Sequence, residues 1–232
     1  MTSIPPSQMR KNKKVKRLLI EGVPSSVRYV VWANLANVQA RRMEGVYAKL
    51  CQRGSVPASP EIQRDVERYF SNDGELGMPD GPLVLLLQAY LTMVPDVQYH
   101  TGLSLIAGYL LQQGPEEDAF WIFASVMDAH LREYFTTTPT RLEVDSAIFS
   151  KLLESNDPAL AKKLLMQLRL EPPSICTPWY VMAAYSIVSC SPMHILGSRQ
   201  YSPAHYQRIT WCACGTSFFP KVNHVSLGFF LA

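Results

Sequence analysis

The chain has no long hydrophobic run, few cysteines and little excess charge, and each shortage removes a class of protein. Its longest apolar candidate, Leu103 to Leu111, is interrupted by Ser104 and glycine and stops at Gln112-Gln113. That is too short to cross a bilayer and reads as a buried helix. The five cysteines, Cys51, Cys176, Cys190, Cys212 and Cys214, form no disulfide framework, and no cleavable apolar signal precedes the body, so a reduced, cytoplasmic protein is expected. Cys212 and Cys214 lie near His205 and His224, but the spacing matches no structural zinc site. No metal and no cofactor is therefore expected.

The formal net charge is only +3, and much of it sits in one cluster of Arg10, Lys11, Lys13, Lys14, Lys16 and Arg17. Without that cluster the remainder is slightly acidic. A nucleic-acid-binding body is not expected, and the cluster reads as a solvated basic segment, a nuclear signal, or a patch for phosphate or anionic lipid. Glycine is also sparse, twelve against seventeen prolines. Breaks of that kind favour many short elements over a few long ones.

What is present is enough apolar content, 47% over 232 residues, to build one large domain or two small lobes. Gly22-Val23-Pro24-Ser25-Ser26 breaks the chain, and Ser25 or Ser26 is placed to cap a helix with Val27, Val30, Val31 and Leu35 at helical spacing and Trp32 on the same face. Further helices are predicted over Met43 to Gln52 and Glu61 to Phe70. In the second, Ile62, Val66, Tyr69 and Phe70 form one stripe, and Asp65 and Arg68 are neighbours three positions apart. Ser71 to Pro82 reads as a loop. Helices follow at Leu83 to Val94, ending before Pro95, and at Leu103 to Gln112. Pro115 then opens a helix with Glu116, Glu117 and Asp118 at the positive end of its dipole, and Phe120, Trp121, Phe123 and Val126 turned inward. Leu142 to Ser155, and Pro158 to Leu168 capped by Asn156 or Asp157, complete the pattern. No segment sustains strand alternation, so the fold class is all-α. From Ser189 to Ala232 no period holds for more than one turn, and this stretch is expected to be poorly ordered.

Periodicity alone names no function, but three ordered motifs do resemble a family. Gly22-Val23-Pro24 followed by Arg28 and Trp32 looks like the opening of TBC domains, the all-helical domains that accelerate GTP hydrolysis by Rab-family GTPases. Ile62-Gln63-Arg64-Asp65-Val66-Glu67-Arg68 matches the family's Ile-x-x-Asp-x-x-Arg motif at every defining position. Val97-Gln98-Tyr99-His100-Thr101-Gly102-Leu103 aligns with its Gly-Tyr-Cys-Gln-Gly-Met segment through Tyr99 and Gly102. Ile106-Ala107-Gly108, Glu116 to Trp121 and Trp179-Tyr180 resemble later segments, so the likeness covers about residues 18 to 185. The Arg-x-Trp-Asp segment expected next is absent.

The resemblance implies a multi-helix TBC-like domain over residues 18–188 with an incomplete second lobe, a flexible basic segment over 1–17, and a divergent or truncated end over 189–232. It makes Arg68 the catalytic finger, a permanently cationic, planar group that neutralises charge on the transferring γ-phosphate. Asp65 is expected to position that arginine. Tyr99 and Gly102 shape the following loop, while Arg28 and Trp32 are expected to be structural. The family's second finger, a glutamine that orients the attacking water, is Thr101 here. A threonine hydroxyl is shorter and cannot span the same acceptor and donor sites; His100 beside it could compensate, or could be plain loop surface.

The implied partner is a GTP-bound Rab-family GTPase, which brings its own magnesium and nucleotide. The implied role is a weakened GTPase activator in membrane trafficking, cytoplasmic or peripheral on endomembranes. The alternative is a catalytically poor TBC-like scaffold that binds a GTPase or adaptor. An unrelated helical enzyme finds no nucleophile-base pair or metal cluster to stand on.

Overall fold

A computed structural model of the chain describes residues 12–15, 17 and 23–177, and these form two compact units that divide between Thr138 and Pro139. Among the described residues the architecture is helical, as expected, with one isolated antiparallel bridge between Val97 and Thr136 and no strand.

In the first unit, α1 (Ser25–Leu35) enters directly from Pro24, whose extended φ of −55° and ψ of 141° place it at the cap. Ser25 is thus the first helical residue rather than the cap, and no side chain caps this helix. The stripe also differs from the expected one. Trp32 and Leu35 are buried, but Val27 and Val30 are 44% and 45% exposed. At 100° per residue Trp32 lies roughly 160° around the helix from Val30, so the inward face is that of Trp32, Leu35 and Arg28. The indole, the largest apolar group, decides which face turns in.

A short α2 (Val38–Arg41) leads to α3 (Val46–Cys51). The expected start at Met43 is delayed because Gly45 takes a φ of +69°, which the right-handed helix excludes. α4 (Ser59–Phe70) is longer than predicted because Pro60 fits its first turn. It buries Ile62, Val66 and Phe70, with Tyr69 at the margin. After a 3₁₀ turn (Gly74–Gly77) within the expected loop come α5 (Pro82–Met93), α6 (Thr101–Gln113) and α7 (Glu116–Val126).

From Ala119 to Val126 every residue of α7 is buried, as expected of a helix that is apolar on all sides and sits at the centre of its unit. Phe123 meets Tyr90 of α5 edge to face at 5.0 Å, and Phe120 packs on Tyr47 of α3 at 4.7 Å. The chain leaves α7 through a π turn (Met127–Leu131) and a 3₁₀ turn (Arg132–Tyr134).

The second unit contains α8 (Thr140–Asn156), which buries Leu142, Ser146 and Leu153, and α9 (Pro158–Ala161), which continues as a π turn (Lys162–Gln167). Asp157 caps α9 as expected, its carboxylate accepting the Leu160 N–H at 3.0 Å. Residues 172–177 are helical. The expectations for residues 1–11 and 189–232, and those for Trp179 and the cysteine and histidine positions beyond it, lie outside the described residues.

Candidate functional site

Arg68 stands on the last turn of α4, on the side opposite Ile62 and Val66, and is exposed. Its guanidinium carbon lies 5.8 Å from the centroid of the Tyr69 ring, within cation-π range. No carboxylate reaches it within ion-pair distance among the described residues. Among these residues three other arginines of this unit are paired with carboxylates, whereas Arg53 and Arg64, like Arg68, are not. Arg41 pairs with Asp128 at 3.0 Å, Arg42 with Glu117 and with Asp118, and Arg132 with Asp96. Arg68 therefore presents a solvated cation on a rigid base.

The rigidity comes from the packing of α4 on α6. Gly108 of α6 faces the Phe70 ring so closely that an added Cβ would meet Phe70 Cζ at 2.4 Å. Only a residue without a side chain lets the two helices come this near.

Asp65 was expected beside Arg68, but its carboxylate is held elsewhere. Asp65 Oδ2 accepts the phenolic proton of Tyr99 at 2.8 Å, and no bond links it to Arg68. The physical reason is burial. A partly buried phenol needs an acceptor, whereas an exposed Asp-Arg pair three positions apart gains little over water. Tyr99 is also hydrogen-bonded to Ser104 of α6. Burial, together with the nearby Asp65 carboxylate, pushes the Tyr99 phenol well above its ordinary range, although the Ser104 bond works in the opposite direction. Tyr99 remains a proton donor at any physiological pH.

The loop from Val94 to His100 sets the start of α6 and is tied at several points. Asp96 makes a bidentate pair with Arg132 at 2.8 and 3.0 Å, and that hydrogen bond holds its carboxyl below the usual range. Val97 bridges to Thr136, and the Gln98 N–H donates to the Phe135 carbonyl at 2.6 Å. His100 caps α6, its Nδ1 accepting the Gly102 N–H at 3.0 Å, and its ring lies 5.6 Å from that of Phe135. Desolvation of the ring lowers the His100 pKa, partly offset by the Asp65 carboxylate. Thr101, the first residue of α6, is partly exposed beside this cap, and Gly102 is buried.

Arg28 and Trp32 both lie within the packing of this unit. Arg28 donates to the Val23 carbonyl at 3.0 and 3.3 Å, to Tyr109 Oη at 2.8 Å and to Gln113 Oε1 at 3.5 Å. It thereby fastens the entry of α1 to α6. Trp32 is 3% exposed. Glu116, Glu117 and Asp118 all have partners in addition to the helix dipole, Glu116 accepting from Tyr47 and the other two from Arg42.

Sequence reasoning brought Arg68, Asp65, Tyr99 and Thr101 to notice but missed Ser104. Its signal was a small hydroxyl between Leu103 and Leu105 on the first turn of α6. Arg68 is exposed and Asp65, Tyr99 and Thr101 partly so, whereas Ser104 is buried. An open cleft lined by Asp73, Glu75, Leu76, Leu111 and Glu116 lies apart from them, and its acidic wall is unsuited to phosphate. Among the described residues no three His, Cys, Asp or Glu side chains are grouped to hold a metal, and no helix is long and apolar enough to cross a membrane.

Comparison with known proteins gives a consistent result. A family model described as the Rab-GTPase-TBC domain matches residues 25–193. The chain is 31% identical over 185 residues to TBC1 domain family member whacked of Drosophila melanogaster, covering 75% of this chain and 50% of that one. It is 32% identical over 158 residues to the human Ecotropic viral integration site 5 protein homolog, covering 65% and 19%. It is 34% identical over 134 residues to Rab GTPase-activating protein eat-17 of Caenorhabditis elegans, covering 55% and 15%. The chain thus spans half or less of the length of these relatives. Among solved structures it is similar to the Chlamydomonas flagellar RabGAP TBC domain, with a TM-score of 0.52, 16% identity, and coverage of 95% of this chain and 81% of that one. At that identity the likeness concerns the fold.

Proposed function

The chain belongs to the Rab-GTPase-TBC domain family, and from that premise we propose that it stimulates GTP hydrolysis by a Rab-family GTPase with Arg68 as the finger supplied in trans. The observation that carries this reading is the exposed Arg68 guanidinium, without a carboxylate partner, at the end of a helix packed tightly on α6. A transferring γ-phosphoryl group spreads negative charge over its oxygens. A cation with no carboxylate partner among the described residues meets that charge without first breaking an ion pair.

Asp65 acts on the finger indirectly in this reading, by fixing α4 to the Tyr99 loop. Thr101 stands where the family resemblance puts a water-orienting glutamine, and its short hydroxyl leaves that half of the chemistry weak. The partner is the GTP-bound state, and the setting is the cytoplasmic face of endomembranes with peripheral attachment.

The scaffold reading is favoured by the same Thr101: a chain with an arginine but no water-orienting amide binds a GTPase and accelerates it little. Multiple-turnover GTP hydrolysis by a panel of Rab GTPases, with the full chain and with Arg68→Ala, separates the two. Stimulation that depends on Arg68 supports the activator. Binding to a GTP-loaded Rab with no stimulation on any member supports the scaffold.

A further inference from the structure

Ser104 lies on the first turn of α6 with 0% exposure, inside an otherwise apolar run. The direction of its bond follows from the protons available. The Tyr99 hydroxyl has one proton, and it goes to Asp65, which as a carboxylate only accepts. The hydroxyl shared between Ser104 and Tyr99 must then be donated by Ser104. The result is a directed relay, Ser104 to Tyr99 to Asp65, that runs from the core of α6 across the loop and onto α4.

A phenolic hydrogen prefers the plane of its ring and can point either way. Donation from Ser104 into one side of the Tyr99 oxygen leaves the O–H only the other side, toward Asp65. Asp65 is three residues before Arg68 on the same helix, and Thr101 is three residues before Ser104 on the other.

We propose that Ser104 is a positioning residue for the finger: its hydroxyl orients Tyr99 toward Asp65 and so indexes the end of α4 that carries Arg68 against the start of α6 that carries Thr101. The proposal rests on the reading of Arg68 given above. It adds a residue that touches neither GTPase nor nucleotide and acts through two others.

The test compares Ser104→Ala, which removes one oxygen from a helical position, with Ser125→Ala as control, since Ser125 Oγ is buried and without a hydrogen-bond partner. Hydrogen exchange is measured in the full chain at the amides of the last turn of α4 and at residues 102–104. Ser104→Ala is expected to raise exchange at both places together by about fivefold, the weight of one net hydrogen bond, and Ser125→Ala at neither. In stimulated hydrolysis of a responsive Rab, Ser104→Ala is expected to lower kcat about fivefold with KM unchanged. In an Arg68→Ala background it should lower nothing further.

Unchanged exchange in α4 overturns the proposal. So does a full kcat in Ser104→Ala when Arg68→Ala abolishes stimulation. If Arg68→Ala costs nothing, the finger reading fails instead, and exchange still decides whether Ser104 holds α4 to α6.

Discussion

Tyr99 Oη and Asp65 Oδ2 meet at 2.8 Å across 34 residues of sequence, joining the loop before Thr101 to the helix that ends in Arg68. The bond is half-buried and charge-assisted, so breaking it from either side strands a polar group. Tyr99→Phe and Asp65→Ala are each expected to cost about 1–3 kcal/mol in urea unfolding. The double variant should lose less than the sum, with a coupling of roughly 0.5–3 kcal/mol. Strict additivity would show that the two groups do not act as a pair.

Among the described residues Arg68 carries no ion pair, so its removal should leave the fold alone. Arg68→Ala is expected to change stability within about 0.5 kcal/mol, the usual range for a surface position, while reducing stimulated hydrolysis on the order of a thousandfold. Arg68→Lys should recover little, because an ammonium lacks the planar fork of the guanidinium. Wild-type stimulation by Arg68→Ala would remove it from the chemistry.

Gly108 of α6 lies directly against the Phe70 ring of α4. Gly108→Ala would place a methyl 2.4 Å from Phe70 Cζ, a contact that a buried ring must move to relieve. The expected cost is about 1–3 kcal/mol of overpacking, larger than the gain from alanine's better helix propensity. Because Phe70 is two residues from Arg68, stimulated hydrolysis should fall as well. Equal or higher melting temperature in Gly108→Ala would show that the ring yields freely.

Helix content was legible because the apolar spacing is strong, and the all-α class and the inward residues of α7 follow from it directly. Boundaries were less so. Gly45 ends the prediction at Met43 through a positive φ that composition does not reveal, and the inward face of α1 was misjudged because Val27 and Val30 fit the period as well as Trp32 does. In the candidate site, the motif positions of Arg68, Asp65 and Tyr99 were visible, but their pairing was not. Local spacing favours Asp65 with Arg68, and only the folded loop brings Tyr99 to Asp65 and Ser104. A bond between residues 34 apart has no signature in a one-dimensional pattern.

His100 ties the start of α6 to proton concentration. Only the neutral ring can accept the Gly102 N–H at Nδ1; protonation turns that atom into a donor. Its pKa in the folded chain lies below the ordinary 6.5, so just below that value the unfolded chain binds more protons than the folded one. The stability supplied by the cap is therefore complete above about pH 6.5 and lost as pH falls through the folded value. His100→Asn keeps an acceptor that does not titrate. Relative to wild type it should gain stability between pH 7 and pH 5, by about 0.5 kcal/mol, the low end for a cap because the ring is only partly desolvated and solvent screens it. A wild-type to variant difference that is the same at both pH values would mean that the cap does not titrate.

Thr101 offers the sharpest test, because two-finger catalysis divides the work between an arginine that neutralises charge and an amide that orients water. In the reading proposed above, Arg68 supplies the arginine, and Thr101 stands in the place of the amide. Thr101 begins α6 and is partly exposed, so a longer side chain can extend outward from a backbone that the His100 cap and the Asp96–Arg132 pair already hold. Thr101→Gln is thus expected to raise kcat for stimulated hydrolysis by roughly tenfold or more with little change in affinity, since the water is ordered mainly in the transition state. The gain should require Arg68 and vanish in Thr101→Gln, Arg68→Ala. A GTPase whose own water-orienting glutamine has been replaced should respond more to Thr101→Gln than to wild type, because the amide then comes from the activator. If the variant is no faster on any Rab while still binding one, water orientation is not what limits this chain, and the scaffold reading takes precedence.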